Sequence, residues 1–285
     1  MNHEFELTHL AKLKELLTRH GFTFSKSLGQ NFLINPNICP QMAESSVISD
    51  NCGVLEIGPG VGVLTKELAK RAKKVVAIEL DKRLIPVLSE TLCNYDNIKI
   101  IEGDALKLDL LSLIEENFKG MDVTVCANLP YYITSPVIMK ILESKIPVKS
   151  LTVMVQKEAA ERLCTEVGTR ASGAVTVSVA YYAKAKILFS VPRGNFMPAP
   201  NVDSAVISLE ILEKPQVAVK NEEMFFKTIK AAFSQRRKTI SNSLSSGLSL
   251  PKEKIMEILA TAKVDPSSRA EKLTLEDFKA ISDNI

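Results

Sequence analysis

Val54-Leu-Glu-Ile-Gly-Pro-Gly-Val-Gly-Val-Leu-Thr65 changes character twice along its length. Val54, Leu55 and Ile57 form a short apolar run of the kind that makes a buried strand. Gly58, Gly60 and Gly62 then make a tight turn, because glycine reaches φ > 0 without strain and lets a ligand approach the backbone. Beyond the turn, Leu64, Leu68 and Ala69 recur at helical spacing, with Thr65, Lys66, Glu67 and Lys70 on the outer face. Strand, glycine turn and helix open a nucleotide-binding α/β unit. The spacing is G-x-G-x-G, which departs from the G-x-G-x-x-G of dinucleotide enzymes and speaks against a nicotinamide or flavin oxidoreductase.

Outward from this stretch the chain alternates. Strands are expected at Val75–Leu80, Ile98–Ile101, Val123–Ala127 and Leu151–Val155, with helices at Asp81–Leu92, Leu108–Phe118, Pro136–Ser144 and Lys157–Cys164. Such alternation implies a parallel sheet with right-handed crossovers and helices on both faces. Val175–Tyr182 and Val202–Leu209 read as two further strands, an antiparallel pair at the sheet edge. Seven strands of this kind fit a Rossmann-like class I methyltransferase. After about residue 213 the strand signal stops, and helices are predicted at Met224–Phe233, Lys238–Leu244, Lys252–Ala260 and Leu275–Ile281. The expected organisation is therefore a helical leader with a covering loop (1–50), an α/β methyltransferase domain (51–212) and a small all-helical domain (213–285).

In the leader, Leu7, Leu10, Leu13 and Leu17 mark one helix face and Gly21 ends the helix. The polar, basic Ser25–Leu33 follows, carrying Lys26 and flanked by Phe24 and Phe32. No apolar run reaches the roughly 18 residues of a membrane span. The N-terminus carries Glu4 and Glu6 and lacks a signal-peptide core, so a cytoplasmic protein is expected. The 5 cysteines are scattered without a C-x-x-C pair, and all 3 histidines lie in the leader. A zinc site or a disulfide framework is not expected. A net charge of +3 permits an acidic partner without demanding one.

In an open α/β sheet the ligand lies outside the carboxyl ends of the strands. Here those ends carry Glu56 and Gly58, Glu79, Asp104 and Asn128. Glu79 stands about twenty residues past the glycine turn, where a carboxylate can accept from ribose hydroxyls. Asp104 can accept from an adenine amino group. Asn128-Leu-Pro-Tyr-Tyr132 is the sharpest motif: the strand delivers Asn128, Pro130 stiffens the loop, and Tyr131 offers a flat face to a planar ligand. An exocyclic amine on adenine has its lone pair delocalised into the ring. It needs acceptors, such as the Asn128 side-chain oxygen and the Leu129 carbonyl, to hold its N–H bonds and turn the lone pair toward an electrophile.

Gln30-Asn-Phe-Leu33, Glu56–Gly62, Asn128-Leu-Pro-Tyr131 and Phe196-Met-Pro-Ala-Pro-Asn-Val-Asp-Ser204 together resemble the ribosomal RNA adenine N6,N6-dimethyltransferase family. The resemblance implies that Asn31, Leu33, Gly58, Gly60, Glu79, Asp104 and Asn128 hold S-adenosyl-L-methionine, which leaves as S-adenosylhomocysteine, with no metal. It implies that Asn128, Leu129, Pro130 and Tyr131 form the catalytic loop and that Tyr131 and Phe196 sandwich the target adenine. A basic residue commonly follows the second proline of the Phe196 motif, and Asn201 stands there in this chain. One branch of the family acts on small-subunit (16S) ribosomal RNA, on adjacent adenines near its 3′ end, during ribosome assembly. The other acts on large-subunit RNA and usually has Ile before the loop proline. Leu129, the segment Phe233–Thr239 and the long helical tail resemble the first branch; a large-subunit enzyme and a non-catalytic assembly factor are the alternatives. The expected partner is small-subunit RNA in an immature 30S particle, met by a monomer away from any membrane. Lys26, Arg236, Arg237 and Lys238 are the expected phosphate contacts, in a region that also holds Lys227 and Lys230.

Overall fold

The computed structural model describes residues 7–25 and 29–285. The chain forms two compact units, Met1–Ala160 with Lys186–Ile211, and Glu161–Ala185 with Leu212–Ile285.

The first unit begins with α1 (Leu10–Arg19), which buries Leu13, Leu16 and Leu17. Leu10, expected on that face, is 41% exposed, and Leu16 takes its place. Gly21, at φ 62°, ends the helix, its N–H donating to the Thr18 carbonyl at 2.9 Å. β1 (Phe32–Leu33) and α2 (Ile38–Ser46) follow. Five parallel strands come next: β2 (Cys52–Ile57), β3 (Lys74–Glu79), β4 (Ile98–Glu102), β5 (Asp122–Asn128) and β6 (Ser150–Gln156). Between them run α3 (Val63–Ala69), α4 (Ile85–Thr91), α5 (Leu110–Asn117) and α6 (Thr134–Glu143). The sheet is completed by β7 (Ala183–Val191) and β9 (Ser204–Ile211), in the order β4-β3-β2-β5-β6-β9-β7, with β9 antiparallel to β6. The short β8 (Phe196–Met197) pairs instead with β1.

β2 is buried at every residue, as a central parallel strand covered on both faces must be. Its neighbours β3 and β5 connect outward in opposite directions along the sheet. This reversal opens a crevice beyond the carboxyl ends of β2 and β5. Parallel strands and crossover helices thus follow the expected α/β class, with seven strands in one mostly parallel sheet.

One expected strand is a helix. Val175–Tyr182 lies within α8 (Ala174–Tyr182), which follows α7 (Lys157–Cys164), and the sheet strand is the next segment, Ala183–Val191. Alternating Val175, Val177 and Val179 imitate a period of two. Yet Thr176, Val177, Ser178, Val179, Tyr181 and Tyr182 are all buried, so the segment is a core helix, apolar nearly all round. Its start is fixed by Thr176, whose Oγ1 accepts from the Gly173 N–H at 3.0 Å and donates to the Arg162 carbonyl at 2.7 Å. Packing overrides the β preference of valine.

The second unit adds α9 (Glu222–Ala232), α10 (Ile240–Leu248), α11 (Lys252–Thr261) and α12 (Leu275–Ser282). Tyr181 and Tyr182 pack on Phe225 and Phe226, and the Tyr182 hydroxyl donates to Glu222. Gly247 of α10 faces α9 so closely that a Cβ there would lie 2.6 Å from Ala231 Cβ. Asn221 caps α9 by accepting from the Met224 N–H at 3.0 Å, and Thr274 with Asp277 forms a capping box on α12. No helix among the described residues is long and apolar enough to cross a membrane.

Candidate active site

The crevice of the first unit is a cleft of about 1110 Å³, solvent at its mouth included. Asn31, Leu33, Gly58, Gly60, Glu79, Asp104, the loop Asn128–Tyr131 and Phe196 all line it, so residues scattered over most of the chain meet at one place.

One side is built from strand ends. Gly58, Gly60 and Gly62 have φ of 74°, 61° and 92°, the left-handed region in which a side chain would be strained. The turn is also crowded, since a Cβ on Gly60 would lie 3.1 Å from the Phe32 ring. Glu79 accepts the Gly60 N–H on Oε2 at 3.2 Å and the Asp81 N–H on Oε1 at 2.8 Å. Each carboxylate oxygen thereby keeps acceptor capacity toward the cleft. Burial pushes the Glu79 carboxyl above its ordinary value, against the pull of those N–H bonds. Asp81, next but one, accepts from Arg83 Nε at 2.8 Å, Arg83 Nη2 at 2.6 Å and Gln30 Nε2 at 2.8 Å. These bonds, Arg83 foremost, hold its carboxyl below the ordinary value. Asp104 turns its own loop by accepting the Leu106 N–H on Oδ1 at 2.9 Å.

The other side is built from the loop after β5 and from β8. Pro130, at φ −55°, leads into the turn Tyr131–Ile133, which the Ile133 N–H closes on the Pro130 carbonyl at 3.1 Å. The Asn128 carboxamide makes no hydrogen bond with the described residues, which leaves its oxygen available to a ligand. Tyr131 is anchored by its hydroxyl, 2.9 Å from the Oγ of the fully buried Ser204. β1 pairs with β8 through Phe32 opposite Met197 and Leu33 opposite Phe196, which brings the leader motif and the Phe196 motif into the same wall.

Glu56 is the electrostatic exception. It lines the cleft, is fully buried, and neither carboxylate oxygen has a hydrogen-bond partner among the described residues; the same is true of the nearby Thr65 hydroxyl. Burial pushes its carboxyl up to about 8, and the Glu79 charge adds to the rise. Unpaired buried carboxyls are costly, and they concentrate where a ligand supplies the missing partner.

Arg236, Arg237 and Lys238 lie exposed in the second unit, in the segment joining α9 to α10, and Lys227 and Lys230 are exposed on α9. Lys26 lies outside the described residues. Sequence reasoning did not single out Asp81 or Ser204. The spacing Glu79-x-Asp81 carries a usable signal, because an N–H two residues on can fold back to the first carboxylate. Ser204 closes the Phe196 motif, but its contact with Tyr131 arises only through tertiary structure.

The ribosomal RNA adenine dimethylase family model matches residues 21–285. The ribosomal RNA small subunit methyltransferase A of Alkaliphilus oremlandii is 49% identical over 275 residues, which cover 96% of each chain. That of a Geobacillus species is 48% identical over 278 residues, again 96% of each. Among solved structures, a dimethyladenosine transferase from Plasmodium falciparum superposes with a TM-score of 0.73 at 28% identity, covering 88% of this chain and 95% of its own. The 23S rRNA methyltransferase ErmE superposes with a TM-score of 0.67 at 26% identity, covering 89% of this chain and 98% of its own. Cleft, family model and near-full-length relatives agree: the chain belongs to the ribosomal RNA adenine dimethylase family.

Proposed function

We propose that this chain methylates the N6 amino groups of adjacent adenines in small-subunit (16S) ribosomal RNA, twice per base, on an immature 30S particle. The observation that carries this reading is the meeting, on one cleft, of three acidic strand ends and the Asn128–Tyr131 loop. The small-subunit target is supported by relatives of about half identity that bear that name.

The residues fit a nucleoside carrying positive charge. The glycine turn admits close approach, Glu79 offers two acceptor oxygens to a pair of vicinal hydroxyls, and Glu56 offers an uncompensated carboxyl to a cation. When bound, S-adenosylmethionine supplies an electrophilic methyl group on a positively charged sulfur and departs as S-adenosylhomocysteine. Asn31, Leu33, Gly58, Gly60, Glu79, Asp104 and Asn128 would hold it. Tyr131 and Phe196 would clasp the target base, with Ser204 fixing the tilt of Tyr131. The Asn128 side-chain oxygen and the Leu129 carbonyl accept the two N–H bonds of the adenine amine and turn its lone pair toward the donor. No side chain need abstract the proton beforehand, because it leaves for solvent once nitrogen has become positive. Holding both reactants in one orientation supplies most of the rate.

Arg236, Arg237 and Lys238, with Lys26, would contact RNA phosphates, which makes the helical 213–285 region the docking element and 51–212 the transferase. Such a protein works in the cytoplasm, as a monomer on its particle.

The test is methyl incorporation from labelled donor into immature small subunits, with large-subunit RNA as a parallel substrate. Label in small-subunit adenines supports the reading. Label confined to large-subunit RNA would transfer the chain to the other branch, and no label with either would leave a binding protein.

A further inference from the structure

Lys140 sits on α6, the helix that continues directly from the Asn128–Tyr131 loop. Its half-buried ammonium donates to two carbonyls of another loop, Leu106 at 2.6 Å and Leu108 at 2.9 Å. That second loop follows β4 and carries Asp104. Gly103 is tied to the end of β3, its N–H donating to the Glu79 carbonyl at 2.9 Å. Asp104 itself organises the turn, taking the Lys107 and Leu108 N–H groups on its carbonyl at 2.8 and 3.0 Å and the Leu106 N–H on its side chain. Asp109, which caps α5, is held below its ordinary value first by the Ser112 hydroxyl and N–H, with the Lys140 charge adding a smaller pull. A solvated lysine on a helix makes none of these contacts.

We propose that Lys140 is a positioning residue that clamps the Asp104 loop to the catalytic-loop helix, so that the donor side of the cleft and the Asn128 side are held at a fixed spacing. This rests on the donor assignment of Asp104 given above. Charged hydrogen bonds from an ammonium to two carbonyls are among the stronger local restraints available to a loop. Without them Asp104 loses its outer support, although no atom that touches a reactant has changed.

The experiment compares the parent with Lys140→Met, which keeps the apolar stem, and Lys140→Arg, which keeps charge and donors. Ligand-free amide exchange is read at Lys107 and Leu108, and S-adenosylhomocysteine affinity by calorimetry. Single-turnover methylation is read at saturating donor, and thermal unfolding checks integrity. In Lys140→Met, exchange at the two amides should quicken and the dissociation constant should rise about tenfold, the order expected for a lost charged hydrogen bond. The saturated rate should fall as well, because the clamp sets the spacing across which the methyl group passes, whereas the unfolding temperature should change far less, and Lys140→Arg should recover most of the affinity and the rate. Unchanged exchange in Lys140→Met would overturn the clamp. Quickened exchange with unchanged affinity would overturn its role in positioning Asp104. A parent chain that does not bind S-adenosylhomocysteine at all would instead overturn the donor assignment.

Discussion

Replacing Glu56 by Gln removes a charge that the fold can scarcely carry, while keeping nearly the same shape. The carboxyl is raised from 4.5 to about 8 by burial. A raised value means that the native state keeps a proton the unfolded chain gives up. Stability from this source is complete below 4.5 and is lost as pH climbs toward 8, by about 1.4 kcal/mol per pH unit. At pH 7 the accumulated loss is about 3 kcal/mol, and above pH 8 it levels off at about 5 kcal/mol. The Gln amide does not titrate. Its own unmet hydrogen bonds resemble those of the protonated acid, so that cost cancels in the comparison. Ligand-free Glu56→Gln should therefore match the parent near pH 4 and exceed it increasingly up to pH 8. With roughly 2–4 °C per kcal/mol for a domain of this size, the gap at pH 7 should be about 6–12 °C. Donor binding should move the opposite way, because a cationic ligand is the partner that the ionised Glu56 lacks. Scanning calorimetry across pH 4–9 reads the first effect and titration calorimetry the second. A melting difference that stays constant with pH would refute the reasoning, since only a titrating group produces the slope.

Asn128→Ala should cut single-turnover methylation far more than it weakens RNA binding, because it removes an acceptor needed when nitrogen attacks; a variant methylating at the parent rate would mean the loop is only structural. Neutralising Arg236, Arg237 and Lys238 together should weaken RNA binding and flatten the dependence of log affinity on log salt while leaving donor affinity intact; an unaltered slope would place docking elsewhere. Gly247→Ala should destabilise the helical unit by about 1–3 kcal/mol, because the new methyl would meet Ala231 at 2.6 Å. Denaturant unfolding measures this, and parent-like stability would show that the two helices move apart freely.

The sheet was legible because a central parallel strand is covered on both faces and reads as mostly apolar, as Cys52–Ile57 does apart from Glu56 and Val123–Ala127 does apart from Thr124. The cleft was legible because strand ends in this architecture converge, so Glu79, Asp104 and Asn128 could be placed together before any coordinates. What misled was Val175–Tyr182, where burial on nearly all sides erases the polar face that would have betrayed a helix. What stayed hidden was every residue acting through a long-range partner. Lys140 has ordinary sequence surroundings and Ser204 is only the last residue of the Phe196 motif; their meaning lies in a hydroxyl and two carbonyls supplied by other elements.

The two-residue ladder between β1 and β8 has a consequence for the order of folding. Phe32 and Met197 are paired across most of the first unit's length. Closing a loop of that size costs roughly 4–5 kcal/mol in chain entropy, more than so short a ladder returns. The ladder can therefore form only after the sheet has gathered its ends. During synthesis the glycine turn and the strands on either side of it are finished while Phe196 is still unmade, so the cleft wall that carries Phe196 is assembled last. It is also the part able to open first. The Ile34 N–H, which donates to the Asn195 carbonyl at 2.9 Å, should exchange through a local opening well below the free energy of unfolding the sheet.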